Sequence, residues 1–153
     1  MRDLEVTCRP FAALTVYELY DIMALRQEVF VVEQNCAYLD ADGKDLEAWH
    51  VMGRDAQERL AAYTRLLPLG VSYEGYASIG RVVSAPFARR AGLGRLIMEH
   101  SLAWCVRLFG PVPLKISAQT YLLGFYESFG FRSTGEEYLE DGIPHTAMVL
   151  ERR

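Results

Sequence analysis

The chain is poor in the features that build a covalent or membrane-bound framework. Its three cysteines, Cys8, Cys36 and Cys105, are odd in number and scattered, with no C-x-x-C pair, which excludes a disulfide scaffold. Together with the absence of a secretory leader, this pattern points to a reducing cytoplasm. No apolar run approaches the roughly 18–20 residues of a membrane-spanning helix, because Arg, Glu, Asp or Gly interrupts every hydrophobic stretch. There is no internal repeat and no low-complexity tract. Positive charge is also short: 16 Lys and Arg against 20 Asp and Glu leave a net charge of −4. That balance argues against a nucleic-acid groove or an anionic membrane surface as the main partner. Any anionic ligand must be held by a local cluster of positive groups.

The 153 residues are 51% hydrophobic and 24% charged, with no shift of composition along the chain. One domain spanning residues 1–153 and folding around its own core is expected. Leu4 to Arg9 alternates apolar and polar side chains, the period of a half-buried strand. Thr15 and Glu18 have the spacing of a capping box, and Leu19, Ile22, Met23, Arg26, Val29 and Phe30 continue as a helical stripe. Val31 to Glu47 reads as a functional loop with a dense acidic turn. Ala48–Arg54 and Leu60–Leu67 read as a hairpin around the polar turn 55–59, and Ala77–Ser84 as a strand stopped by Pro86. A long helix begins at Leu93, with Leu93, Ile97, Ser101, Cys105 and Leu108 on one face, and stops at Gly110-Pro111. Val112–Ala118 reads as a strand and Tyr121–Phe129 as a short helix ended by Gly130. Phe131–Tyr138 and His145–Glu151 read as two closing strands joined by a turn over 140–144. The order is β, α, three strands, α, β, α, two strands, an α+β chain (α/β in the wider sense).

The segment between the fourth strand and the long helix carries the chemistry. It reads Arg89-Arg90-Ala91-Gly92-Leu93-Gly94-Arg95. Two glycines let the backbone approach a ligand, and the first amides of a helix point outward, unpaired, at its positive end. With Arg89, Arg90 and Arg95 around it, this is a site for a diphosphate. The alternative from the residues alone is a glycine turn with solvated arginines. Position 97, where a dinucleotide fold needs a third glycine, is Ile97, and the Gly-Lys-Ser/Thr of a P-loop is absent.

Arg89-x-x-Gly92-x-Gly94 resembles the R/Q-x-x-G-x-G/A segment with which the GNAT acyl-coenzyme A N-acyltransferases wrap the pyrophosphate of coenzyme A. Gln119-Thr120-Tyr121-Leu122-Leu123-Gly124-Phe125-Tyr126-Glu127-Ser128-Phe129-Gly130-Phe131 is similar to that superfamily's N-x-x-A-x-x-x-Y-E-x-x-G-F, with Gln119 at the Asn position and Leu122 at the Ala position. Three further blocks, Arg26 to Gln34, Asp40 to His50 and Glu140 to Met148, resemble the ElaA branch. The resemblance implies a GNAT fold with a mixed central sheet of about six or seven strands flanked by helices. It implies acetyl-CoA as acyl donor, a primary amine of a small molecule or peptide as acceptor, no metal, and a homodimer as one assembly. By the same resemblance Val82, Val83 and Ser84 pair their backbone with the pantetheine arm. The coenzyme site takes in Arg89, Arg90, Ala91, Gly92, Leu93, Gly94, Arg95, Gln119 and Tyr126. Tyr126 falls where a phenol donates a proton to the leaving thiolate, the alternative being an aromatic that packs the short helix.

The base is open at this stage. Glu33, His50 and His145 are candidates, as are Asp40, Asp42 and Asp45, and a reaction with no dedicated base is a further option. Asp40-x-Asp42-Gly43 opens like a calcium loop, but Lys44 stands at the fifth position and Asp45 at the sixth, so no metal is expected. The acidic run 40–47 is then either a solvated turn or a lure for a cationic amine. Arg26 and Arg81, on otherwise apolar elements, need partners, with Glu33 or Asp45 available. Cys36 reads as incidental, Cys105 as core and His100 as surface. Two rivals to the N-acetyltransferase reading are a degenerate acyl-CoA sensor that turns nothing over, and an acyltransferase with another acyl donor, such as a maker of acyl-homoserine lactones.

Overall fold

A computed structural model describes residues 4–151. β1 (Glu5–Pro10), β2 (Trp49–Arg54), β3 (Leu60–Leu67) and β4 (Ser78–Ser84) form an antiparallel sheet in that order. β5 (Leu114–Gln119), β6 (Arg132–Glu140) and β7 (Ile143–Leu150) form a second sheet, in the order β5-β7-β6. One parallel bridge, Ala77 to Leu114, joins the two. The seven strands match the six or seven expected, arranged as sheets of four and three that meet at this bridge. α1 (Val16–Arg26) covers one face of the larger sheet, packing Ile22 and Leu25 on Met52, Tyr63 and Val83. α2 (Leu93–Phe109) covers the other, with Leu93, Ile97, Met98 and Cys105 against Val51, Ala62 and Leu66. Covered on both faces, β3 is buried at every one of its eight positions, which is why it reads as a nearly unbroken apolar run. Ser101 sits in this apolar layer by bonding Thr64 Oγ1 at 2.6 Å and the Ile97 carbonyl at 2.7 Å.

α1 starts at the expected capping box: Thr15 Oγ1 accepts from the Glu18 amide at 3.0 Å and Glu18 returns the bond at 2.8 Å. Such caps contribute about 1 kcal/mol. Beyond Arg26 the chain stays helical past Val31, where the loop is expected to begin. It widens into a π-helix over Gln27–Glu33, with Gln34 N–H bonded to the Val29 carbonyl and Cys36 N–H to that of Val31. The widening keeps Arg26 fully buried and carries Glu33 out to the surface. α3 (Leu123–Glu127) is shorter than its sequence pattern, because its first turn, Thr120–Leu122, is 3-10; Gly130 closes the segment with φ +97°. The closing hairpin is tighter than expected. Asp141 and Gly142 both have positive φ, the geometry of a two-residue turn matched to strand twist, so β6 runs on to Glu140 and β7 begins at Ile143. Among the described residues no helix is long and apolar enough to cross a membrane.

Candidate active site

The edge of β4 that faces β5 is left open. The two strands touch at Ala77, whose carbonyl accepts from the Lys115 amide at 2.9 Å, and then diverge. Between them lies a cleft of about 800 Å³. A bulge in β4 helps to open it: Tyr63 pairs with Val83 and Arg65 with Gly80, so Arg81 and Val82 together oppose Thr64. Arg81 takes φ +52° there, a strained conformation of the kind stored at functional sites and here held by its side-chain ion pair.

Val82, Val83, Ser84, Arg89, Gly94, Gln119 and Tyr126 all line the cleft. Arg90, Ala91, Gly92, Leu93 and Arg95 do not. Leu93 is 4% exposed and belongs to the core. Gly92 is the N-cap of α2 with φ +74°, and no side chain among the described residues caps the helix, so its first amides are open, and Gly94 brings this helix end to the cleft wall. The expected trio of arginines around this end is not assembled. Arg95 bonds Ser128 Oγ and covers the Phe129 ring at 4.6 Å, whereas Arg89 holds Glu33 through two bonds of 2.7 and 2.5 Å. That ion pair lowers the pKa of Glu33 and raises that of Arg89.

Tyr126 projects from α3 with its ring edge-on to Phe125 and Phe131. It is 8% exposed and lines the cleft, and burial pushes its phenol up to about 12. The hydroxyl has no hydrogen-bond partner among the described residues, so it is a free donor at neutral pH. The base candidates separate sharply. His145 lines the cleft, with Nδ1 2.7 Å from the Ile143 carbonyl oxygen. His50 is fully buried away from it, held between the Tyr63 hydroxyl at 2.7 Å and the Asp45 carbonyl at 3.0 Å, and burial lowers its pKa. It does not reach the cleft and is set aside as a base.

The acidic run is neither a solvated turn nor a lure. Arg26 Nε and Nη1 bond Asp40 Oδ2 at 2.8 Å and Asp45 Oδ1 at 2.6 Å. Arg65 bonds both oxygens of Asp42, at 2.8 and 3.0 Å, and Asp45 at 3.1 Å; Arg81 Nε bonds Asp40 Oδ1 at 2.7 Å. Three carboxylates are thus matched by three guanidiniums, which leaves none of Asp40, Asp42 and Asp45 free to take a proton. Burial alone would raise the Asp42 pKa, but the Arg65 bonds outweigh it and hold the group at about 2; for Asp45 the Arg26 and Arg65 bonds likewise win over burial. Asp45 is the partner expected for Arg26, whereas Glu33 partners neither Arg26 nor Arg81. Arg65 went unremarked in the sequence, although one arginine in the run Leu60–Leu67 signals a buried anion. Its Nε is a buried donor without a partner among the described residues. Cys36 also lies in the cleft wall, its thiol donating to the Asp141 carbonyl at 3.3 Å, while Cys105 is buried and His100 exposed, as expected. No group of three or more His, Cys, Asp or Glu suited to a metal occurs among the described residues.

The model of the acetyltransferase (GNAT) domain matches residues 41–152, a stretch holding β2 to β7, the uncapped α2 and Tyr126. The chain belongs to the GNAT acetyltransferase family. Within it the ElaA branch is the near kin. A UPF0039 protein of Schizosaccharomyces pombe is 43% identical over 152 residues, 99% of each chain. Escherichia coli ElaA superposes with a TM-score of 0.89 at 37% identity, covering 97% of this chain and 100% of that one. An acyl-CoA N-acyltransferase of Pseudomonas aeruginosa gives a TM-score of 0.89 at 45% identity, covering 97% and 99%. These likenesses make the chain an acyltransferase by family.

Proposed function

We propose that this GNAT protein transfers an acetyl group from acetyl-CoA to a primary amine, by direct transfer with donor and acceptor bound together. The observation that carries the reading is the divergence of β4 from β5, with the uncapped start of α2 at the cleft and a free buried phenol in its wall. The cleft fits the donor. The open edge of Val82–Ser84 can pair with the amides of the pantetheine arm as an added strand would. The α2 amides and Arg89 suit the pyrophosphate, provided Arg89 gives up Glu33. An N–H on the open β4 edge polarises the acyl carbonyl. As the C–N bond forms and the C–S bond breaks, Tyr126 gives its proton to the departing sulfur. A phenol raised to about 12 by burial stays protonated through the physiological range, as a proton donor must.

Release of free thiol from acetyl-CoA, followed across a panel of amines, tests this reading. Release that depends on both acetyl-CoA and an amine is expected. A chain that binds acetyl-CoA and releases no thiol with any amine is a sensor instead, and release with a longer acyl donor only would reassign the acyl group.

A further inference from the structure

In the wall of the cleft His145 faces Glu140, and while the imidazole is neutral the two present acceptors to each other. The His145 Nδ1 lies against the Ile143 carbonyl at 2.7 Å. A carbonyl only accepts, so Nδ1 carries a proton, and in the neutral imidazole Nε2 presents a lone pair. Nε2 stands 3.5 Å from Glu140 Oε2, and a carboxylate oxygen also only accepts. The other oxygen of Glu140 is already served: the Ser117 hydroxyl donates to Oε1 at 3.4 Å, and the Tyr138 hydroxyl donates to Ser117. Tyr138 stacks on the His145 ring at 6.2 Å, 17° from parallel. The tight Asp141-Gly142 turn fixes this arrangement by pairing Tyr138 with His145 and Glu140 with Ile143. A positively charged group with several N–H donors satisfies both acceptors at once, and a primary ammonium has three.

The opposite charge is present in the same cleft. Four cations line it: Lys44, Arg65, Arg81 and Arg89. Arg65 is held by Asp42 and Asp45, Arg81 by Asp40, and Arg89 by Glu33. Lys44 has no carboxylate partner among the described residues; its Nζ rests on Ser72 Oγ at 3.0 Å. Ser72 adjoins Tyr73, over whose ring Lys115 Nζ lies at 5.1 Å, and Lys115 is two residues along β5 from Ser117, the partner of Glu140. Lys44 and Glu140 therefore belong to one end of the cleft.

We propose that this end is the acceptor subsite, and that the acceptor carries both a primary ammonium, received between Glu140 Oε2 and His145 Nε2, and a carboxylate, received by Lys44 Nζ. The proposal rests on the N-acetyl transfer reading and names its substrate class: amino acids, α or ω, in place of simple amines. One ammonium proton passes to His145 Nε2 and on to solvent, which frees the nitrogen lone pair. The second proton, lost as the C–N bond forms, replaces through solvent the one that Tyr126 gives to the sulfur.

The test compares α- and ω-amino acids of graded length with alkylamines of the same length, by thiol release at saturating acetyl-CoA. The best amino acid is expected to exceed its matched alkylamine in kcat/KM by roughly tenfold or more, the worth of one charge-assisted contact. Lys44→Gln should bring that ratio to within about twofold, and Lys44→Arg should keep it. Glu140→Gln should raise KM for every amine by roughly tenfold, with the KM for acetyl-CoA unchanged. Alkylamines used as well as amino acids, or a ratio untouched by Lys44→Gln, would overturn the proposal while amine-dependent release still upheld the reading beneath it. Absence of release with any amine would overturn both.

Discussion

Asp45→Asn strikes the network that shapes the cleft wall. Asp45 Oδ1 accepts from Arg26 at 2.6 Å and from Arg65 at 3.1 Å, and those arginines are 0% and 3% exposed. The amide keeps the volume and one acceptor oxygen but removes the negative charge, so three guanidiniums are left facing two carboxylates. Removing one partner of a buried ion pair costs about 3–5 kcal/mol, because the charge left behind has neither its counterion nor water. Asn retains one neutral bond, which places the expected loss near the lower end, about 3 kcal/mol. For a urea slope near 2 kcal/mol/M that is a fall of about 1.5 M in the unfolding midpoint. The control is Asp21→Asn, which breaks the exposed pair with Arg54 at 3.1 Å and should cost less than about 1 kcal/mol. Urea unfolding at neutral pH, followed by circular dichroism, measures both. A loss at Asp45 below about 1 kcal/mol, or equal to that at Asp21, would refute the claim that these buried charges depend on one another.

Three further outcomes are expected. Tyr126→Phe should lower kcat by roughly ten- to a thousandfold with acetyl-CoA binding nearly intact, and a fully active variant would remove Tyr126 from the chemistry. Glu33→Gln should tighten acetyl-CoA binding severalfold in calorimetry, because the exposed carboxylate competes with the pyrophosphate for Arg89; weaker binding would make Glu33 a contact instead. His50 gives the fold a pH dependence. Its pKa is lowered by burial, so between that value and about 6.5 the unfolded chain binds a proton that the folded one does not. Stability is therefore complete above about pH 6.5 and falls on acidification by up to about 1.4 kcal/mol per pH unit. His50→Gln should flatten this slope in denaturant titrations between pH 7 and 5, and an unchanged slope would assign it elsewhere.

Much of the fold was legible because it follows from local pattern. The alternation of Leu4–Arg9, the Thr15/Glu18 box, the apolar face from Leu93 to Leu108 and the stop at Gly110 each have a short-range cause, and each appears as expected. The cleft wall was legible in part through motif spacing: Arg89, Gly94 and Tyr126 line it, whereas Gly92 does not. What escaped was decided by tertiary contacts. A π-helix over Gln27–Glu33 has no period that distinguishes it from a fraying helix, and it exists where Arg26 must stay buried among Asp40 and Asp45. The bulge at Arg81 depends on its ion pair to Asp40, forty-one residues away. The closing turn was within reach, since Asp141-Gly142 is a strong hairpin signal; Pro144 drew the boundary outward, although a proline near the start of a strand is tolerated. That misplacement hid the strand positions that bring Glu140 and His145 together.

Isothermal titration of the chain with acetyl-CoA tests the central claim most directly, with NADH as a diphosphate control. One acetyl-CoA per chain is expected, with little heat from NADH, because in the proposed reading the open edge of β4 pairs with the pantetheine arm, which NADH lacks. No binding of acetyl-CoA, or equal binding of NADH, would contradict the account.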